Sequence, residues 1–225
     1  MADDTTIFET IRTHLFTAVI GDILDVAGLT HQFLPPNIRA LRPATVLVGR
    51  AMPVLEADCC GETVAAENRG FAFGMMFRAL DDLRAGEVYV TTGASPRYAL
   101  WGGLMSRRAT ALGAAGAVVD GYHRDTREIE TLGFPVFSQG SYAQDQRLRG
   151  RVIDFRCPIE FPNAVRVNPG DVIVGDVDGV VVIPQQHLHD IVADALAKVR
   201  GEATVRDMIT RGERTEAIYE KTGIM

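Results

Sequence analysis

The chain has 225 residues, 47% of them hydrophobic, and carries a net charge of −6 with a sequence pI near 5.4. A chain of this length buries a full core and fits one domain of ordinary size. The acidic balance, with no basic run longer than Arg107-Arg108, argues against a nucleic-acid partner held by electrostatics. We see neither a basic-then-apolar leader nor a run of about 18 apolar residues, so we expect a cytoplasmic protein with no membrane contact.

Hydrophobic periodicity and the positions of glycine and proline predict two opening helices, followed by a strand, a helix and a second strand. Pro35-Pro36 marks a loop after the opening helices, and the segment TGASPRY is a second loop. The predicted elements of this part are helices at 5–14 and 17–27, a strand at 45–49, a helix at about 70–83 and a strand at 88–91.

The stretch 101–125 is the most informative one. Gly102 and Gly103 let the backbone approach a ligand closely, and the helical run at 104–112 begins with N–H groups that lack partners within the helix. Such a helix start favours an anion. A short buried strand at 117–120 then ends in GYHRD, at the kind of strand end where open α/β sheets bind ligands.

Arg124 and Asp125 in GYHRD supply the chemistry. A guanidinium clamps a carboxylate in a planar, bidentate way, and an aspartate is a hard oxygen ligand suited to Mg²⁺ or Mn²⁺. Together they suit an oxyacid held on a metal. The alternative is an exposed Arg-Asp pair on an ordinary strand-to-helix turn, and spacing alone does not decide between the two.

The second half predicts further strands and then a helical C-terminal segment at 187–223. Asp171, Asp176 and Asp178 lie in PGD, GD and DG motifs, so we interpret them as turn residues rather than metal ligands. Mixed strands flanked by helices predict an α/β domain. The further strands are predicted at 135–138, 151–155, 165–167, 172–174 and 179–183.

Three cysteines, Cys59, Cys60 and Cys157, form an odd set without CxxC spacing. This pattern predicts neither a disulfide framework nor a zinc site. We interpret the cysteines as reduced packing residues.

Three segments resemble the RraA-like family, in this order: WGGLMSRRATALGAAGAVVDGYHRD, TREIETLGFPVFSQG and VNPGDVIVGDVDGVVVIPQQ. That family includes the class II 4-hydroxy-4-methyl-2-oxoglutarate (HMG) and 4-carboxy-4-hydroxy-2-oxoadipate aldolases and the regulator of ribonuclease activity A. The likeness covers about residues 15–200. It implies that residues 1–225 form a single domain of the swivelling β/β/α type found in phosphohistidine domains. Helical N- and C-terminal extensions are expected, the latter at about 187–225.

The resemblance also implies a divalent metal and active sites between the subunits of a trimer or a dimer of trimers. Arg124 matches the substrate-binding arginine of the family, and Asp125 matches its metal-binding aspartate. A pyruvate-like carboxylate would receive backbone amides from the turn Gly102, Gly103, Leu104 and Met105. On the C-terminal helix, Glu202 in KVRGE resembles a glutamate that enters the neighbouring subunit's site; an exposed helix glutamate is the alternative.

Gly103 departs from the aldolase pattern, which is an acidic residue, twenty intervening residues and then Arg-Asp. Counting back from Arg124 places that acid at position 103. In the aldolases the acid orients metal-bound water and helps to move protons, so the glycine removes an acid–base group. The ribonuclease regulators lack the metal aspartate, so a chain that keeps Asp125 fits neither subgroup.

His123 and Arg107 are candidates to fill this gap. An imidazole at position 123 passes a proton close to neutral pH, but neighbours on an extended segment point to opposite sides, and a loop histidine facing solvent is the alternative. Arg107 lies one helical turn after Gly103 and predicts a more positive site that favours a more highly charged anion. The alternative for Arg107 is a solvated surface arginine.

The primary hypothesis is a divalent-metal-dependent lyase of the aldolase or oxaloacetate decarboxylase type, acting on a 2-oxo acid through a pyruvate enolate. The expected cofactor is Mg²⁺ or Mn²⁺, and the expected partners are the small 2-oxo acid and further copies of this chain. A non-catalytic, RraA-like protein-binding ring is the competing hypothesis, and Gly103 supports it. Other enolate chemistry on a sugar acid, namely dehydration or isomerisation, stays open.

Overall fold

The computed structural model describes residues 2–59 and 73–224. Its helices are α1 (Ala2–His14), α2 (Thr17–Val26), α3 (Met76–Asp81), α4 (Gly103–Ala111), α5 (Thr126–Leu132), α6 (Leu188–Thr210) and α7 (Thr215–Thr222), with a 3₁₀ turn (Gln185–His187) before α6. Its strands are β1 (Arg39–Ala40), β2 (Leu47–Asp58), β3 (Glu87–Thr92), β4 (Ala99–Trp101), β5 (Gly116–Val119), β6 (Tyr122–His123), β7 (Val136–Ser138), β8 (Gly150–Phe155), β9 (Ile159–Glu160), β10 (Arg166–Val167), β11 (Val172–Asp176) and β12 (Gly179–Ile183).

A large mixed sheet forms the centre of the protein, in the order β1-β7-β5-β3-β2-β11-β12, with β8 also paired to β2. Strands β7, β5, β3 and β2 run parallel, whereas the flanking strands are antiparallel to their neighbours. The two ends of the sheet approach each other where the Arg39 guanidinium donates to the carbonyl of Asp178, in the turn between β11 and β12. The sheet therefore nearly closes into a barrel.

Helices cover the sheet on separate sides because its strands are apolar on both faces. Helices α3, α4 and α5 pack with the buried residues Leu80, Tyr89 and Trp101. Helices α1, α2 and α6 cover β11 and β12 through residues such as Ile20 and Val174. The helices that carry the candidate site thus rest on the parallel part of the sheet.

The predicted mixed α/β class is confirmed, whereas its phosphohistidine-domain type stays a prediction. The strand predicted at 45–49 overlaps β2, but its bounds were wrong, because β2 begins at Leu47 and extends to Asp58. Gly49 and Pro53 interrupt the strand pattern, yet pairing with β3, β8 and β11 holds the whole segment extended. The helix predicted at about 70–83 is confirmed in part, because α3 spans Met76–Asp81 alone, and the first predicted residues, 70–72, lie outside the described residues.

The helical C-terminal segment predicted at 187–223 is confirmed by α6 and α7, with the 3₁₀ turn before them. Among the described residues, no helix combines the length and the apolar character that crossing a membrane requires. Cys59 and Cys157 have free thiols, while Cys60 lies outside the described residues.

Candidate functional site

Two short strands that the sequence did not predict bring the site together. Strands β4 and β6 pair in parallel, with Ala99 opposite Tyr122 and Trp101 opposite His123. The Arg124 N–H extends this pairing by donating to the Trp101 carbonyl at 2.9 Å. Because parallel strands end at the same edge, the glycine turn after β4 meets the Arg-Asp pair after β6.

The close approach of these two segments leaves little room for a side chain at Gly102. A Cβ atom on Gly102 would stand 3.0 Å from Asp125 Oδ2 and 3.4 Å from Arg124 Cγ. The Gly103 N–H donates to Asp125 Oδ2 at 3.0 Å, so this amide, predicted for a substrate, is engaged by the aspartate. The next two amides, of Leu104 and Met105, have no hydrogen-bond acceptor among the described residues.

Asp125 has an unusual backbone conformation. Its φ of 59° lies in the left-handed region, and its carbonyl accepts the N–H groups of Glu128 and Ile129 at 2.9 and 3.1 Å. The chain therefore reverses at Asp125 and starts α5, while the carboxylate turns back towards α4. Such a conformation costs about 1 kcal/mol or more outside glycine, and it concentrates at functional sites.

Arg124 lies between two carboxylates. Its Nη1 is 3.2 Å from Asp145 Oδ1, and its Nε is 3.8 Å from Asp125 Oδ2. All three side chains are partly exposed. One positive charge thus faces two negative ones, so an anionic ligand is repelled from this point unless a cation binds with it.

Glu128 is a site residue that the sequence analysis missed. A Cβ atom on Gly103 would stand 2.6 Å from Glu128 Cδ and nearer still to Oε2, so this carboxylate occupies the space of a side chain at position 103. Glu128 follows Asp125 by three residues, in the first turn of α5, where the helix dipole favours a negative charge. That spacing at a predicted helix start was the available signal.

Arg107 does not make the site more positive, so this expectation was wrong. Its Nε donates to Glu128 Oε1, and the ion pair balances both charges. The expectation took account of the acid that is absent at position 103 but not of Glu128, the carboxylate that α5 supplies. Arg107, Asp125 and Glu128 line an open depression on the surface.

His123 is buried, so the alternative of a solvent-facing loop histidine was wrong. Its Nδ1 lies 2.7 Å from Ser138 Oγ, and its Nε2 lies 3.0 Å from Thr126 Oγ1. Burial lowers the pKa of this imidazole. His123 and Arg124 line two different surface depressions. This agrees with the expectation that neighbouring residues on an extended segment point to opposite sides.

A cavity of about 340 Å³ opens beside Gly102, Arg124 and Asp125. Gln146, which also lines it, donates from Nε2 to Oε2 of the buried Glu56 at 2.8 Å. Burial raises the pKa of Glu56 to about 8. The cavity therefore has partly exposed charged groups at its mouth and a buried carboxyl group behind it.

The remaining predicted residues lie elsewhere. Glu202 pairs with Arg206 at 3.0 Å on α6 and does not line this cavity, so its role in a neighbouring subunit stays a prediction. Asp171 accepts the N–H of Asn168, and Asp176 accepts that of Asp178, both as expected of turn residues. Among the described residues, no three His, Cys, Asp or Glu side chains form a metal-binding group.

The fold and site define a mixed α/β protein with a charged site where a glycine turn meets an Arg-Asp pair. The RraA-like family model, described as Aldolase/RraA, matches residues 17–182. The chain belongs to the RraA-like family.

Individual relatives agree with this assignment. Protein DlpA of Legionella pneumophila is 27% identical over 205 residues, which are 91% of this chain but 32% of DlpA, so the chain spans about a third of that protein. A putative 4-hydroxy-4-methyl-2-oxoglutarate aldolase of Halalkalibacterium halodurans is 34% identical over 81% of this chain and 79% of the relative. The crystal structure of an uncharacterized protein from Pseudomonas syringae is similar, with a TM-score of 0.78 and 28% identity over 95% of this chain and 96% of that one.

Proposed function

We propose that this protein is a divalent-metal-dependent lyase that breaks a carbon–carbon bond of a 2-oxo acid. The observation that carries the proposal is the meeting of Arg124, Asp125 and Glu128 at the start of α4. The relative from Halalkalibacterium halodurans, named as a putative aldolase, supports the same class of reaction.

The reaction has one charged intermediate. In a 4-hydroxy-2-oxo acid the C3–C4 bond breaks, the C4 hydroxyl loses its proton and becomes a carbonyl, and the electron pair moves to C3. The product is the enolate of pyruvate, which then takes a proton at C3. Oxaloacetate decarboxylation passes through the same enolate with carbon dioxide as the leaving group, so one site serves both reactions.

The residues of this chain bind the substrate and stabilise the negative charge. Arg124 binds the carboxylate next to the 2-oxo group, as a planar guanidinium does well. The amides of Leu104 and Met105 donate to the oxygen on which charge develops, and one such donor contributes about 10²- to 10³-fold in rate. The start of α4 adds its dipole.

The donor set fits Mg²⁺ or Mn²⁺, which bind through one or two carboxylates and keep several water molecules. Asp125 would hold the ion, with Glu128 beside it. The excess of carboxylates around Arg124 also favours a cation. When bound, the ion supplies Lewis-acid polarisation of the 2-oxo group.

Glu128 takes the acid–base role that an acidic residue at position 103 has in the aldolases. Its carboxylate already occupies the space next to Gly103, and Arg107 fixes its orientation. It would accept the proton of the C4 hydroxyl, directly or through water. Gly103 thus no longer favours a non-catalytic ring, and assembly into a trimer or hexamer with shared sites stays part of this proposal.

A coupled assay of pyruvate release tests the proposal. HMG and oxaloacetate are each supplied with Mg²⁺ or Mn²⁺, and again with EDTA. Because metal ions alone decarboxylate oxaloacetate, the Asp125→Asn protein at the same metal concentration is the background control. We expect metal-dependent release above that background with at least one substrate; equal rates for the two proteins on both of these acids and on the 4-phenyl substrate described below would contradict the proposal.

A further inference from the structure

The cavity beside Arg124 is apolar over most of its wall. Helix α3 contributes Met76, Phe77 and Leu80 to this wall, and α4 contributes Leu104 and Met105. Phe73, which lies just before α3, completes it. Phe73 and Phe77 form an edge-on aromatic pair with ring centroids 5.4 Å apart. Phe77 is 60% exposed and Leu104 is 79% exposed, so large apolar surfaces face the space next to the charged residues.

The charges of the cavity leave room for only one carboxylate. Asp81 and Arg108 also line it, but Arg108 Nε lies 2.8 Å from Asp81 Oδ1, and the two balance each other. Arg124 is already paired with Asp145 and lies near Asp125. A divalent cation, as in the proposed function, would leave one net positive charge, which a single carboxylate balances.

We propose that this site takes a 2-oxo acid with one carboxylate and an apolar, preferably aromatic, substituent on carbon 4. This inference rests on the proposed function and names its substrate class. A second carboxylate on carbon 4, as in HMG, would lie against the apolar wall, where Arg108 is already paired with Asp81, and would lose its hydration. An aromatic ring in that place buries apolar surface and meets the Phe73 and Phe77 rings.

The size of the cavity agrees with this class of ligand. Its volume of about 340 Å³ lies at the lower end of the range for small-molecule sites. Such sites are mostly apolar, with a few polar groups that fix the orientation of the ligand. The groups proposed to bind the acid, Arg124, Asp125 and the α4 amides, lie together at the start of α4, whereas Arg108 and Asp81 are paired with each other. The arrangement fits an amphiphilic acid bound with its head at α4 and its substituent along the wall.

Binding is measured first with two ligands that cannot undergo retro-aldol cleavage, because both lack the 4-hydroxyl group. They are 2-oxo-4-phenylbutanoate and 2-oxoglutarate, which differ only in a phenyl group against a carboxylate on carbon 4. Calorimetric titration with Mn²⁺ present should give at least about 10-fold tighter binding of the phenyl compound. Equal affinities, or tighter binding of 2-oxoglutarate, would overturn the inference.

Turnover of 4-hydroxy-2-oxo-4-phenylbutanoate and of HMG separates this inference from the proposed function. A higher kcat/KM for the phenyl compound supports both. A phenyl preference in binding without turnover of either compound leaves the inference standing and contradicts the lyase proposal. Efficient cleavage of HMG together with tighter binding of 2-oxoglutarate would support the lyase proposal and overturn this inference.

Phe77 provides the variant that assigns the preference to the wall. Phe77→Asp should reduce the phenyl preference about 10-fold or more, while Phe77→Leu, which keeps an apolar contact, should retain most of it. Tyr219→Asp, at a similarly exposed aromatic residue on α7, is the matched control and should change neither affinity. Light scattering on each variant tests whether a second copy of the chain, rather than a ligand, covers this wall. An unchanged ligand preference in Phe77→Asp, with or without loss of assembly, would overturn the proposal.

Discussion

Two regions of this protein place carboxylates under opposite conditions. At the end of β6, Asp125, Glu128 and Asp145 are partly exposed, and each has a cation or a backbone amide within reach. Inside the sheet, Glu56 is 2% exposed and receives one hydrogen bond, from Gln146, while its Oε1 has no partner among the described residues. Burial raises the pKa of Glu56 to about 8, so this carboxyl group holds its proton at neutral pH.

The difference shows where this chain can bind a charged ligand. Carboxylates with nearby counter-charges and access to water exchange partners easily, which is what an ion or a substrate requires. A buried carboxyl group instead holds its proton and serves the packing around it. The hydroxyl groups of Tyr89 and Thr91 on the neighbouring β3 are likewise buried without a hydrogen-bond partner among the described residues.

Asp125→Asn should have the largest effect, because it tests whether the open region holds a metal. Asparagine tolerates the left-handed conformation and still accepts the Gly103 N–H, so the fold should remain. We expect loss of Mn²⁺ binding and of metal-dependent pyruvate release down to background. Calorimetric titration with Mn²⁺ checks this prediction, and an unchanged affinity would mean that the metal site lies elsewhere.

Glu56→Gln tests the buried region through stability. Above pH 4.5 the unfolded chain loses the Glu56 proton while the folded chain keeps it, so stability present at low pH is lost as the pH rises towards about 8. The amide has no proton to lose. The variant should therefore gain on the wild type between pH 5 and pH 8, by about 3–4 kcal/mol in the free energy of unfolding.

Urea unfolding of both proteins at the two pH values measures the difference. Asp81→Asn, at an exposed carboxylate paired with Arg108, is the control and should show a much smaller change. A gain that is the same at pH 5 and pH 8 would show that Glu56 is already ionised in the folded protein.

The sequence predicted the residues of the open region better than their arrangement. Arg124, Asp125 and the glycine turn were identified from local pattern, since a helix start and a strand end both leave recognisable signals. Their contact depends on the pairing of β4 with β6, two very short strands without periodicity. A pairing between residues more than twenty positions apart leaves no local signal.

Glu128 and β2 show the same limit. The contact of Glu128 with the space at Gly103 arises because Asp125 adopts a left-handed conformation, which residue type alone does not dictate. In β2, three partner strands keep a segment with a glycine and a proline extended beyond its predicted end. Tertiary contacts decide both cases.

Exchange of the acid between positions 103 and 128 tests the open region more finely. Glu128→Ala should lower kcat by about 10²-fold, the typical contribution of one acid–base group. Gly103→Glu alone should not improve activity, because its side chain competes with Glu128 for the same space. The double variant should recover much of the loss.

Pyruvate release by the four proteins, with Mn²⁺ affinity measured in parallel, checks this exchange. Arg211→Ala, which removes an exposed ion pair with Glu213 and does not line the cavity, is the control. If Gly103→Glu alone raised activity, Glu128 would not be the acid, and the glycine would mark a lapsed aldolase.

His123 should give the smallest effect on activity, although it adjoins Arg124. Both ring nitrogens contact hydroxyl groups, of Ser138 and Thr126, and the ring lies outside the cavity beside Arg124. We therefore expect His123→Gln to reduce kcat by less than about 10-fold, against the 10²-fold or more that loss of a proton carrier produces.

The effect of His123→Gln on stability should be clearer and opposite in pH dependence to that of Glu56→Gln. Burial lowers the pKa of His123, so below about pH 6.5 the unfolded chain binds a proton that the folded chain excludes, and stability is lost as the pH falls. The variant should lose about 1–2 kcal/mol at pH 8 from its weaker hydrogen bonds and lose less at pH 5. A fall of 10²-fold or more in kcat with an altered pH–rate profile would instead assign the proton transfer to His123.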